Sequence, residues 1–117
     1  MEDINHIYHN KFGVAFQWKK NRAENANKVQ VVFRDTGFLL SKEELVLFSK
    51  NLKYLKDNYP LCEDCAQNES CKSLVVATPA SQVSLAMNTK ELDAVYDLIE
   101  GTLFQLNFDD YLSDIWQ

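Results

Sequence analysis

The sequence predicts an α+β fold, a two-layer sandwich with a mostly antiparallel four-stranded sheet and two main helices on one of its faces. Two observations lead there. Apolar residues alternate with period two in four short segments, as in half-buried strands, and recur at three- and four-residue spacing in two longer ones, as in helices that bury one stripe. Each helical segment also begins with a capping pattern. At 117 residues the chain is expected to form a single domain, 1–117, large enough for a real core without disulfides.

Along the chain, Phe12, Val14, Phe16 and Trp18 share one face of a first strand, with Lys11, Gly13, Ala15 and Gln17 on the other. The polar stretch 19–28 has turn chemistry and no apolar period. In VQVVFRDTGFLLS, Val29, Val31 and Phe33 point one way, whereas Phe38 and Leu40 have opposite parity. A change of face within one strand requires an extra residue, so a β-bulge or short break is expected at Asp35-Thr36-Gly37. Ser41 and Glu44 then form a capping box. Leu45, Phe48, Leu52 and Leu55 make the helical stripe behind it, and Asn58 and Pro60 end the helix. Lys50, Lys53 and Lys56 lie in its second half, where positive charge complements the helix dipole.

The second half repeats this grammar. CKSLVVATP and QVSLAMN read as strands joined by a tight turn around Pro79-Ala80-Ser81. Asn88 and Glu91 cap a second helix whose stripe is Leu92, Val95, Ile99 and Leu106. LLSKEEL (39–45) matches AMNTKEL (86–92), and HNKFGVAF (9–16) echoes CKSLVVAT (71–78). One explanation is a tandem ββα duplication, an internal repeat of 9–58 and 71–106 joined by the loop 59–70. The other is that any strand feeding a capped helix reads this way. Beyond it, Phe108, Tyr111, Leu112 and Ile115 follow at i, i+3, i+4 and i+7, predicting a short acidic C-terminal helix or an extension of the second helix past Asn107.

A net charge of −5 and a pI near 4.9 argue against general affinity for nucleic acid or anionic membranes. No apolar run approaches the roughly 18 residues that span a bilayer. MEDINHIYHN lacks the basic and apolar regions of a signal peptide. The three cysteines, an odd number, fit a reducing compartment, so the expected address is the cytoplasm.

Those cysteines, Cys62, Cys65 and Cys71, fall within ten residues in the pattern C-x2-C-x5-C. Zn2+ favours thiolate and imidazole in a tetrahedral shell, and C-x2-C lets one turn offer two ligands. Cys71 would be a third and His9 or His6 a fourth, giving Cys62, Cys65, Cys71 and His9 as the candidate metal set, with zinc the expected ion. Asp64 or water is the fallback fourth ligand. The alternatives are reduced thiols without a ligand, a disulfide switch, or an iron–sulfur cluster, whose standard spacings this run does not match.

Asp35-Thr36-Gly37 spells the D-T-G of aspartic proteases, but Arg34 precedes it, Phe38 follows it, and the supporting apolar-apolar-Gly motif is absent. It reads as a turn. Lys19, Lys20, Arg22 and Lys28 beside Trp18 read as a solvated hairpin tip, not a nucleic-acid site. No catalytic motif stands out.

The HNKFGVAF-like strand, FLLSKEEL, the clustered cysteines and NTKEL together resemble a small bacterial family of uncharacterised proteins. The resemblance implies no reaction. The expectation is a small non-enzymatic interaction or structural domain, homo-oligomeric through Phe108, Tyr111, Leu112, Ile115 and Trp116, with a structural or regulatory metal at the cysteines. The second hypothesis is a thiol- or metal-dependent redox protein or enzyme using the same loop.

Overall fold

The computed structural model describes residues 3–19, 27–58 and 74–115. Its elements run β1 (Ile4–His9), β2 (Gly13–Trp18), β3 (Val29–Phe33), β4 (Thr36–Leu40), α1 (Lys42–Asn58), β5 (Leu74–Ala77), β6 (Ser84–Met87) and α2 (Thr89–Ile115). The α+β class holds. The four-stranded antiparallel sheet is a meander in the order β1-β2-β3-β4, and β5 and β6 form a separate two-stranded hairpin. The expected sheet therefore differs in membership: all four of its strands precede α1.

Two local features account for the difference. Strand β1 lies in the N-terminal segment, where a β-bulge breaks the alternation: His6 pairs with Phe16 but Tyr8 with Ala15, leaving Ile7 extra. The expected break at Asp35-Thr36-Gly37 is instead a two-residue hairpin turn, Arg34-Asp35, between β3 and β4, with Phe33 opposite Thr36. Arg34 takes φ 52°, the left-handed region that suits the twist of tight hairpins. Its guanidinium offsets the backbone cost by donating to the Ala86 carbonyl at 2.8 Å and pairing with Glu91 at 2.7 Å.

The apolar alternation of β2 is as expected, with Val14, Phe16 and Trp18 on one side, but the helices pack on the other. Ala15 is fully buried in the core, and a β-carbon at Gly13 would overlap the Val32 carbonyl of β3, crowd Phe33 at 2.8 Å and meet Leu98 of α2 at 3.0 Å. Small residues let the helix approach the sheet closely; the large ones occupy the opposite face, where Phe16 and Trp18 meet edge to face at 5.1 Å. Phe12 departs from that set. It precedes the strand and stacks on Phe33 in the core, 5.7 Å between centroids.

The core joins Val29, Val31, Phe33 and Leu40 of the sheet to Leu45, Phe48 and Leu52 of α1 and Leu92, Val95, Leu98 and Ile99 of α2. The hairpin contributes Leu74, Val76, Leu85 and Met87, its alternate residues facing out. Thr78 closes its turn, the hydroxyl donating to the Val83 carbonyl at 2.7 Å with the Ala80 carbonyl also within reach at 3.0 Å. Both capping boxes form. Glu44 N–H donates to Ser41 Oγ at 3.2 Å and Ser41 N–H to Glu44 at 2.9 Å. The matching distances at Asn88 and Glu91 are 2.7 and 3.1 Å.

Helix α2 runs without interruption through Asn107, so the expected C-terminal helix is an extension of the second. Ser49 of α1 hydrogen-bonds Glu100 of α2. Lys56 pairs with Asp93 at 3.0 Å and lies over the Tyr96 ring.

Candidate functional site

Cys62, Cys65 and Cys71 lie outside the described residues, as do Lys20, Arg22 and Trp116. Among the described residues, no three His, Cys, Asp or Glu side chains gather as a metal shell would require. His9, the fourth expected ligand, sits at the end of β1 and is exposed. Its described partner is His6: Nε2 of His6 and Nδ1 of His9 are 2.8 Å apart, and the rings meet edge to face at 4.9 Å.

In a regular strand, residues three apart face opposite sides. The bulge cancels this. Ile7 and Tyr8 both turn towards the core, so His6 and His9 share the other face, opposite Phe16 and Val14 of β2. The sequence shows two histidines in HIYH; bringing their rings together takes the extra residue between them.

On the core side, Tyr8 donates to Asp97 of α2 at 2.9 Å. That bond to a carboxylate, then burial and the same negative charge, raise its pKa above the usual 10.0. Asn10 holds the adjoining turn. Its side-chain oxygen accepts from the N–H groups of Phe12 and Gly13 at 2.8 and 3.0 Å. Its amide donates to the Ala94 carbonyl at 2.9 Å and Asp97 at 3.0 Å. All four hydrogen-bonding positions of the side chain are used.

The second notable surface is the C-terminal half of α2. At about 100° per residue, Leu92, Val95, Leu98, Ile99, Thr102 and Leu103 fall on one side, and all are buried. Phe104, Phe108, Tyr111, Leu112 and Ile115 fall within an arc of about 100° roughly opposite. All five are exposed, Phe104 at 69% and Tyr111 at 62%. Phe104 and Phe108 stack on one another with ring centroids 6.3 Å apart. Where this half faces the body, Leu106 packs against the core and the residues beyond it are polar. Asp110 pairs with Lys42 of α1 at 3.3 Å, and Leu106, Asp109 and Asp110 line a cleft with Gln17, Asn27 and Lys42. The apolar stripe thus changes sides within one helix. Phe104, absent from the expected apolar set, belongs to it, and its spacing of four from Phe108 was the available signal.

Asp35 lies in the hairpin turn and Thr36 beside it, as expected of a turn. No helix among the described residues is long and apolar enough to cross a membrane. No family model, curated relative or solved structure matches the chain.

Proposed function

We infer that the protein is a non-enzymatic interaction domain that self-associates, two copies joining through the C-terminal halves of α2. The observation that carries this reading is the reversal of the apolar stripe. Five large, exposed side chains lie on the side of α2 opposite its own core, an apolar face of the kind that marks an interaction surface. Phe104, Phe108, Tyr111 and Ile115 follow at spacings of four, three and four, the narrow seam that fits a second helix. The stripe is flanked by neutral Gln105 and Asn107, with Asp109, Asp110 and Asp114 further round. Two identical halves can therefore meet without opposing their carboxylates, which favours a second copy as the occupant. A structural metal at Cys62, Cys65 and Cys71 belongs to the same proposal and stems from their spacing alone.

Sedimentation of the full chain across a concentration series tests the association. The parent is expected to move from monomer to dimer as concentration rises, and Phe108→Asp to stay monomeric with little change in melting temperature, since its ring lies outside the core and stacks on the exposed Phe104. A parent that is monomeric throughout, or a variant that dimerises equally well, overturns the reading.

A further inference from the structure

The exposed face of β1 carries a pair of imidazoles that meet one another, an arrangement that the expected use of one of them as a fourth ligand to the cysteine metal does not account for. His6 and His9 are the only histidines in the chain, and the bulge at Ile7 brings His6 Nε2 and His9 Nδ1 to 2.8 Å. A hydrogen bond between two solvent-exposed side chains contributes little to folding, whereas the bulge gives up regular pairing in the strand. Two nitrogens converging from one backbone segment are, however, the start of a chelate.

We propose that His6 and His9 form a two-imidazole site for a first-row divalent transition-metal ion, independent of the cysteines. Imidazole suits zinc, copper and nickel. At zinc–nitrogen distances of 2.0–2.1 Å, a tetrahedral angle sets the two donors about 3.3 Å apart. The pair must open by about half an ångström from its present spacing, which exposed rings on a strand surface can supply by rotation about their side-chain bonds. Water completes the shell.

The protons balance without release. In the neutral pair one ring donates its proton to the other's lone pair. For both facing nitrogens to bind metal, that proton moves to the far nitrogen of its own ring, leaving His6 protonated at Nδ1 and His9 at Nε2. Each imidazole stays neutral and lends one lone pair. Preorganisation comes from the bulge, because in a regularly paired strand these two residues, three apart, would lie on opposite faces.

The test uses the full chain with Cys62, Cys65 and Cys71 all replaced by serine, so that thiolates cannot hold the ion. Calorimetric titration with Zn2+ at neutral pH should show one equivalent bound. His6→Ala or His9→Ala in that background should weaken binding by about a hundredfold, the loss expected when one of two linked contacts is removed. Because the chain has two histidines, a nitrogen-correlated NMR spectrum of the imidazoles reads the site directly. Both rings should shift together, His6 binding through Nε2 and His9 through Nδ1. Failure of the triple-serine chain to bind Zn2+, retention of affinity in either alanine variant, or zinc binding with both ring signals unmoved each overturns the proposal.

Discussion

The Tyr8 ring lies against the α-carbon of Gly101, so close that a β-carbon added there would overlap its ring carbons. The edge strand and α2 therefore touch where a larger helix residue cannot be accommodated unless the ring moves.

Gly101→Ala should consequently destabilise the parent, against the usual trend. Alanine in a helix interior ordinarily gains about 1 kcal/mol over glycine. Here it must expel the Tyr8 ring and break its bond to Asp97, costing about 2–3 kcal/mol. In a Tyr8→Ala background the obstacle is gone, and the same substitution should become stabilising by about 1 kcal/mol. Denaturant unfolding of the four chains in the cycle checks this; a substitution with the same sign in both backgrounds would refute the contact.

The raised Tyr8 pKa gives an alkaline signature. The folded state holds the phenol proton more tightly than the unfolded chain, so the contribution is complete below the unfolded value near 10.0 and is lost as pH rises through the folded pKa. Tyr8→Phe should be less stable than the parent at neutral pH by about 1 kcal/mol, and the gap should close as pH climbs above 10.0. Unfolding midpoints compared at neutral and alkaline pH provide the measurement, and a gap independent of pH would contradict it.

Glu91 has two roles that substitution can separate. It caps Asn88 N–H at 3.1 Å and pairs with Arg34 at 2.7 Å. Glu91→Gln keeps a capping acceptor and loses the charge, so its cost measures the half-buried ion pair, about 1 kcal/mol. Glu91→Ala loses both and should cost about 2 kcal/mol. Ser41→Ala, which removes a cap without any ion pair, should cost about 1 kcal/mol by thermal unfolding. Equal losses for the two Glu91 variants would mean that the cap contributes nothing.

The helices were legible because their signals are local. Ser41 with Glu44 and Asn88 with Glu91 mark where each helix begins within four residues, and Leu45, Phe48 and Leu52 are buried as their spacing predicts. Strand β1 was not legible, because Ile4, Ile7 and Tyr8 follow no period of two once Ile7 is bulged. Nor was the hairpin at Arg34, whose positive φ is met by long-range bonds to Ala86 and Glu91, not by a glycine or asparagine. The face of β2 that receives the helices was hidden for a similar reason: Gly13 lies where β3 and Leu98 of α2 both leave no room for a side chain, and Ala15 is fully buried, both properties of the assembled layers. Of the candidate site, His6 and His9 were visible as residues, while their convergence depends on the bulge.

That bulge has a consequence for how the molecule can meet others. A sheet's outermost strand offers unpaired backbone groups on which a foreign strand could lengthen the sheet without limit. On β1 the extra Ile7 interrupts the regular spacing of those groups and increases the local twist. An incoming strand could match the segment before His6 or the segment after Tyr8, but not both in one register. Open-ended growth is thus discouraged at this border of the sheet.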